Sequence, residues 1–479
     1  MASIIDTLSA TRSGETPVFL NNLVGLLWPN ICVAAGKMIK EIAEPMFATM
    51  LPGPLSSLHF TKIDLGTVPI RFDNVEVTKT ENGGIKLDLD VDWDGECDID
   101  LDATMMPKLG VEHIKLRGRL SVLLCPLTDV IPLIGAAQVS FINPPYLHLD
   151  FTDAGGFGDL ALVDRAVRKI ALQIISGMAV LPNRFLVKLD PLNDYFQTYQ
   201  HPHGVLRLTA ESAVIGGDKQ ADGSSHNIFK RLTRDVPDCF VKVSLSAEPQ
   251  WRTATVKDNH SPAWNETHDF IVSDHDQIIE ADIQDSDLAG SDDIGIAATT
   301  VKKLLLAGGR QELTVRHNEQ ETAHKLTVSG KFLHFVANAA GLNGDETSSP
   351  TDILGLLTVL VASVRGITGK REDLQPSVKV TWGDKLVFRT AIKTDTPGTD
   401  IENPAFDQAF RIPVTAGMIP GGAPVRIALM DREEERGAVE VSLEELLAAP
   451  DLAMQQDFDV GGGAKVRAGV YLRGTQVAE

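Results

Sequence analysis

Ser261-Pro262-Ala263-Trp264-Asn265-Glu266-Thr267-His268-Asp269-Phe270 and Asn403-Pro404-Ala405-Phe406-Asp407-Gln408-Ala409-Phe410-Arg411-Ile412 lie about 140 residues apart and are degenerate copies of one motif. Each follows a Val-Lys-Val strand, Val241 to Val243 and Val378 to Val380, and each is followed by another apolar strand that runs into a charged loop. The second half of the chain is therefore a tandem repeat. Its short strands and frequent turns from about His203 onward are the texture of β-sandwiches. Gly204-Val205-Leu206-Arg207-Leu208 opens the first copy and Gly355-Leu356-Leu357-Thr358-Val359 the second, with a Gly, Ser, Asp and Pro-rich linker over 338–352 between them.

Upstream of the repeat the periodicity changes twice. Residues 17–51 place Ile31, Ala35, Met38, Ile39, Ile42 and Met46 at three-and-four spacing, which predicts a helix, with Pro29 marking a kink or a restart. From Phe60 to Phe151 the period is two, as in half-buried strands. Leu87, Leu89, Val91 and Trp93 alternate with Asp88, Asp90, Asp92 and Asp94. Gly95 is then read as a turn into Cys97, Ile99 and Leu101, giving a hairpin with one oily and one acidic face. The acidic face is expected to meet solvent or a neighbouring basic row, such as Lys115, Arg117 and Arg119, rather than to hold calcium. Helical period returns from Asp159 to Val180 through Leu162, Ala166, Ile170, Ile174 and Met178. A long helix, an antiparallel sheet and a second helix make one α+β unit.

Composition narrows the function classes. With 479 residues and 43% hydrophobic content, the chain reads as about three soluble globular domains. A formal net charge of −21 excludes nucleic acid, whose phosphates need clustered Lys and Arg, and would repel an anionic membrane unless metal neutralises it locally. Cys32, Cys97, Cys125 and Cys239 are scattered without metal or disulfide spacing, which fits a cytoplasmic protein. The apolar stretch Leu120 to Phe141 is broken by Pro126, Asp129, Pro132 and Gln138, so no transmembrane segment is expected. Gly-x-Ser-x-Gly, His-Glu-x-x-His and P-loop motifs are all missing from the sequence, and no enzyme is expected.

The repeat resembles C2 domains in its Gly-x-Leu strand, Val-Lys-Val strand, Asn-Pro-x-Trp-Asn-Glu turn and a strand ending in Asp-x-Asp. In that family, aspartates of two loops form a calcium cup. The resemblance implies Ca²⁺ ligands at Asp285, Asp287, Asp292 and Asp293 in one loop and Asp238 in the other. Where the remaining loop aspartate belongs, this chain has Leu232; Asp235 is the nearest substitute, and Asp218 and Asp222 of the lengthened loop are alternatives. Calcium takes six to eight hard oxygens, which no single loop supplies. Phe229, Lys230, Arg231 and Leu288 stand where membrane-docking side chains would be. The second copy has Gln375-Pro376-Ser377 in place of Asp-Pro-Tyr and Arg432-Glu433-Glu434-Glu435-Arg436 after Asp431, so a calcium-independent domain is expected there.

Further upstream, five ordered motifs resemble the SMP lipid-binding domain of extended synaptotagmins and tricalbins: Phe19-Leu20-Asn21-Asn22-Leu23 leading to Leu27-Trp28-Pro29-Asn30-Ile31, Leu65-Gly66-Thr67-Val68-Pro69-Ile70, Leu116-Arg117-Gly118-Arg119-Leu120, Ile131-Pro132-Leu133-Ile134-Gly135-Ala136 and Val180-Leu181-Pro182-Asn183-Arg184. The resemblance implies a multidomain chain. A tubular α+β lipid-binding domain over 15–200 precedes a C2 sandwich over 203–337 and a degenerate one over 353–475. It implies homodimerisation through the SMP domain, transfer of glycerophospholipids, docking to anionic membranes and tethering at endoplasmic reticulum–plasma membrane contact sites. The family's N-terminal hydrophobic anchor is not recognised in the sequence, which leaves a peripheral membrane protein. The rival reading is a calcium-dependent adaptor whose N-terminal domain is only structural.

A carrier must hide an acyl chain whose exposure costs on the order of 10 kcal/mol at about 0.8 kcal/mol per methylene. The candidates for that lining are Leu87, Leu89, Val91, Trp93, Leu101, Leu116, Leu120, Val122, Leu149, Phe151 and Met178. Periodicity alone does not separate such a lining from a closed core.

Overall fold

The structure, a computed structural model, describes residues 17–51, 53–80, 83–104, 108–152, 160–190, 193–216, 236–287, 290–343, 349–383, 386–396, 398–416, 418 and 422–477. Phe229, Lys230, Arg231, Asp235 and Leu288 lie outside them. The chain divides into two compact units: Met1–Pro191 with Ala210–Glu266 and Ser273–Val328, and Leu192–Thr209 with Thr267–Val272 and Ser329–Glu479.

In the first unit, helix α1 (Val18–Met50) precedes the strands β1 (His59–Asp64), β2 (Arg71–Lys79), β3 (Ile85–Asp102), β4 (Leu109–Leu124), β5 (Ala136–Phe141), β6 (Tyr146–Phe151) and β7 (Phe185–Lys188), with α2 (Leu160–Ala179) between β6 and β7 in the chain, and it packs against β1, β2 and α2. The antiparallel order is β1-β3-β4-β5-β7, with β2 on β3 and β6 on β4. The helix runs unbroken through Pro29 and Pro45. Each proline removes one helical hydrogen bond, and tertiary anchors compensate. Trp28, Ala43 and Phe47 are buried in the core, the Trp28 indole donates to Gly66 O (3.0 Å), and the Asn21 amide exchanges two hydrogen bonds with the Phe72 backbone (2.9 and 2.8 Å).

Two expectations are corrected here. There is no hairpin at Gly95, because β3 is one strand of 18 residues. Leu87 to Leu101 keep the same parity throughout, so one straight strand already places every apolar residue on one face. Gly95 serves packing instead, since a Cβ there would lie 2.6 Å from Trp93 Nε1. The register against β4 slips between Glu96 and Ile99, a bulge that re-aims the far end of the strand. The expectation of no membrane-length apolar segment fails at α1. Among the described residues α1 is long and apolar enough to cross a bilayer by length and composition. Trp28, Ala43 and Phe47 anchor it in the core of this domain, whereas Phe19, Leu26 and Val33 are exposed and only 6% of its apolar stretch is buried.

The acidic face of β3 is met by a basic row on β4, as register dictates. Asp90, Asp92 and Asp94 stand opposite Arg119, Arg117 and Lys115 and pair with them at 2.8, 3.0 and 2.7 Å. Lys115 foremost, and then His113, holds the Asp94 carboxyl below its ordinary range.

The same unit carries the strands Cys239–Leu245, Trp251–Arg252, Ile278–Asp287 and Gly290–Thr300, paired antiparallel in the order 251–252, 239–245, 278–287, 290–300. Lys86 reaches both Asp88 (3.0 Å) and Asp274 (2.6 Å), while Asn143 donates to Asp276 O and accepts from Ile278 N–H.

The second unit is a two-sheet sandwich. One sheet holds Ala405–Thr415, Ile353–Arg365, Ala464–Val477 and Ala453–Gly461; the other holds Leu386–Arg389, Pro376–Trp382, Val425–Asp431 and Glu434–Val441. Val359, Val361, Val378, Val380, Ile427 and Val466 form a continuous core from both. In this unit Arg207 clamps Asp269 through two 2.8 Å bonds and Asp352 at 3.0 Å, and Ile353 N–H donates to Asp269. These bonds join the Gly204 strand and the motif strand to the start of the second repeat. That is why the compact units do not divide at residues 338–352. All four cysteines are free thiols.

Candidate functional site

The N-terminal sheet has two contrasting ends. At one, Trp28, Phe47, Phe60, Trp93, Ile99 and Leu101 close a core in which Leu101 is 2% exposed and the Trp28 and Trp93 rings meet edge to face at 5.5 Å. Leu116, Leu149 and Phe151 pack against that core half-buried. The other end is open. Side chains directly opposite in antiparallel strands share a face, so the register assembles rows. Val77, Leu87, Val122, Val139 and Phe185 form one row across five strands, and none of them is buried. Ile85, Leu124, Ala137 and Val187 form the next row, again with none buried. A third, Leu89, Leu120 and Phe141, leads back toward Val91 and Val180 in a small core with Ile70, Phe72 and Ile175.

The candidate lining therefore divides. Leu87, Leu120 and Val122 belong to the open floor, with buried Leu89 and Val91 at its inner edge; Trp93, Leu101, Leu149 and Phe151 sit with the closed core; Met178 on α2 is half-buried. Val77, Ile85, Leu124, Ala137, Val139, Phe185 and Val187 were not singled out from sequence. The alternation of Ala137, Val139 and Phe141 and of Phe185 and Val187 was the available signal, but only pairing shows that these residues continue one row. Val77, Phe185 and Val187 are exposed and the other members of the two rows half-buried, so these rows form a partly accessible apolar surface. Along α2 an open cleft of about 460 Å³ is lined by Arg168, Lys169, Leu172, Gln173 and Ser176.

The tips of the two repeats share one scaffold. In the first, Thr253 Oγ1 accepts from Val241 N–H (3.0 Å), Glu266 accepts from Ala254 N–H (3.0 Å), and Asn265 takes a left-handed backbone, φ 50°. The second repeats this with Thr390 and Val378 (2.9 Å), Gln408 and Ala391 (2.7 Å), and Asp407 at φ 48°. The loop carboxylates match as well. Asp285 accepts from Asp238 N–H (2.7 Å) and Ser286 N–H donates to Asp238 O (2.9 Å), while Asp431 accepts from Gln375 N–H (2.9 Å) and Arg432 N–H donates to Gln375 O (3.0 Å).

Beyond this shared frame the tips diverge. In the first, Asp238 also accepts from Asp258 N–H (2.8 Å), Asp292 stands directly across from Asp285, and Asp287 pairs in register with Gly290 where the strand hairpin closes. Asp293 turns toward His317 at 3.6 Å. Among the described residues no three such side chains converge as a metal cage. Beneath the tip, burial above all pushes the Cys239 thiol up to about 12, with Asp285 and Asp238 adding to it, so the thiol is inert. In the second tip, Arg436 donates to Asp431 at 2.5 Å, Arg389 to Glu433 at 2.7 Å and Arg426 to Glu435 at 2.8 and 2.5 Å. Burial works to raise the Asp431 carboxyl, but the Gln375 N–H and the Arg436 guanidinium outweigh it and hold it below the ordinary range.

Comparison with known proteins identifies the domain types that carry these elements. The family model for the synaptotagmin-like mitochondrial-lipid-binding domain matches residues 13–190, and the C2 domain model matches 219–316 and 355–457. Human extended synaptotagmin-2 is 27% identical over 96% of this chain and 50% of its own length; extended synaptotagmin-3 of Xenopus tropicalis is 30% identical over 59% of this chain and 31% of its own length. The chain thus spans half or less of these relatives. The solved SMP–C2A–C2B structure of extended synaptotagmin 2 covers 97% of this chain and is itself covered completely, with a TM-score of 0.64 at 24% identity. The fold is therefore an SMP lipid-binding domain followed by two C2 domains.

Proposed function

Because the chain belongs to the extended synaptotagmin family, we propose that it binds glycerophospholipids in its N-terminal domain and transfers them between apposed membranes. The open floor of Val77, Leu87, Val122, Val139 and Phe185 carries this reading. It offers acyl chains an apolar surface that is partly solvent-accessible, and covering that surface supplies driving force for loading. The sequence boundaries 15–200, 203–337 and 353–475 remain the working division, with the lipid carrier first, acting as a homodimer at endoplasmic reticulum–plasma membrane contacts.

The first C2 domain serves as the calcium-dependent dock. Asp238, Asp285, Asp287, Asp292 and Asp293, with Asp235, would hold Ca²⁺, and the hard carboxylate oxygens of this set suit that ion. Bound calcium would turn an acidic tip into an attractor for lipid phosphates, and Phe229, Lys230, Arg231 and Leu288 are the proposed membrane-docking residues. The second C2 domain carries its own guanidinium where the first has only acids, and it acts without calcium. No covalent step is part of this role.

Native mass spectrometry of the purified protein should find stoichiometric glycerolipid, and labelled lipid should move between liposomes when the protein is added. An N-terminal domain that carries no lipid and moves none would leave only a calcium-dependent adaptor. Phospholipid turnover by the purified chain would place it among enzymes instead.

A further inference from the structure

We propose that the hairpin between β4 and β5, residues 126–135, enters the facing leaflet of a bilayer and forms the mouth through which lipid reaches the floor. This rests on the lipid-carrying reading above and says where on the N-terminal domain the bilayer meets it. Ile131 is 88% exposed and Val130 64%, and Leu127 and Leu133 are also exposed. Four large apolar side chains thus stand out from a segment of ten residues. The hairpin is built rather than loose. Cys125 N–H donates to Ala136 O (3.0 Å), Gly135 N–H to Pro126 O (2.8 Å), Thr128 N–H to Leu133 O (2.9 Å) and Leu133 N–H to Val130 O (2.6 Å), while the N–H groups of Leu189 and Asp190 both hold Gly135 O (3.0 Å). Leu133 occupies a left-handed backbone, φ 73°, a conformation that favours glycine or asparagine. A leucine held there with its side chain in solvent points to a use for that side chain outside the fold.

Position supplies the second argument. The hairpin continues directly from the open end of the floor, where Ile85, Leu124, Ala137 and Val187 form the last row. An acyl chain leaving a bilayer between Val130 and Ile131 would meet this row and then the row of Leu87, Val122 and Val139 without crossing a polar surface. Size argues against a second copy as the occupant. Four side chains at these exposures present on the order of 400 Å², about half of what each partner in a stable dimer buries, and a narrow convex tip suits a fluid apolar medium better than a flat protein face. Around the hairpin Lys79 and Lys188 are matched by Asp129 and Asp190, which leaves no basic excess. Entry should therefore be independent of anionic lipid and of calcium, unlike docking through the first C2 domain.

The test uses the full chain in EDTA. An Ile131→Trp variant mixed with vesicles of neutral phosphatidylcholine brominated in its acyl chains should lose roughly half of its added fluorescence, whereas the unsubstituted protein changes little. Unbrominated vesicles serve as the control. Unchanged fluorescence of the added indole would overturn the proposal. Combined Val130→Asp and Ile131→Asp substitutions should slow liposome-to-liposome transfer about tenfold, with bound lipid and calcium-dependent vesicle sedimentation retained. Transfer at the original rate would also overturn it. So would conversion of a dimer to a monomer by these substitutions with no quenching of the indole, which would assign the hairpin to contact between copies. Should the unsubstituted protein carry no lipid, the transport reading fails by itself, and quenching still decides whether the hairpin enters a bilayer.

Discussion

The two C2 tips are built on one backbone and differ in what neutralises it. In both, a strand-end aspartate, Asp285 or Asp431, accepts the N–H of the facing loop residue, Asp238 or Gln375. In the second, Arg436 completes the pairing at 2.5 Å from within the protein. The first has Asp287, Asp292 and Asp293 in the corresponding loop and no arginine among them. A covalently attached cation is always present, whereas a metal ion comes and goes with its concentration. On the proposed calcium reading, that one kind of replacement is the difference between a regulated site and a permanent one, while the motif strand, its left-handed residue and the threonine latch stay the same.

If the scaffold is shared, its deletion should cost the same in both copies. Trp264→Ala and Phe406→Ala each remove a buried ring, and each should lower the stability of its domain by about 3–5 kcal/mol. Hydrogen exchange read locally in the strands beside each motif checks this, and a large effect in one copy only would break the equivalence. Next in size is the loss of calcium response. Asp285→Asn with Asp287→Asn should weaken calcium-dependent vesicle sedimentation roughly 100-fold, about 2.7 kcal/mol, whereas Glu433→Gln with Glu434→Gln should leave it unchanged. Equal binding by both double variants would mean that the metal ligands lie elsewhere.

Arg436→Ala leaves the buried Asp431 with only its backbone donor. It should cost about 1–2 kcal/mol of thermal stability in the second domain. The appearance of a new calcium response in that variant would show that the arginine alone separates the two tips.

The smallest effect is in pH. The Asp431 carboxyl titrates below its ordinary value in the folded chain, so its stabilisation is complete above the unfolded carboxylate range and fades as pH falls through the depressed value. Melting curves between pH 6 and pH 3 should show Asp431→Asn less stable than the unsubstituted chain at the upper end, with the gap closing toward the lower. A gap that stays constant would mean that the charge contributes nothing.

The sequence by itself determined the periodicities and therefore the faces. Side-chain direction follows from the backbone repeat, so the odd positions of β3 were legible as apolar and the even ones as acidic before any strand had a partner. It also determined the duplicated motif and the arginines of the second tip, because chemical identity needs no coordinates. What the tertiary structure alone decided is adjacency. The reading of Gly95 as a turn failed because a glycine that makes room for an indole and a glycine that reverses a chain look alike in one dimension. The division of the oily face into a closed core under Trp93 and an open floor beside Val122 depended on which strand lies next to which. Register sets that, and register is fixed by contacts between residues as distant in sequence as Leu87, Val139 and Phe185. Burial is a property of the assembled neighbours and not of a residue, and so equally apolar positions of α1 end apart, with Trp28 and Phe47 in the core and Phe19 and Leu26 exposed.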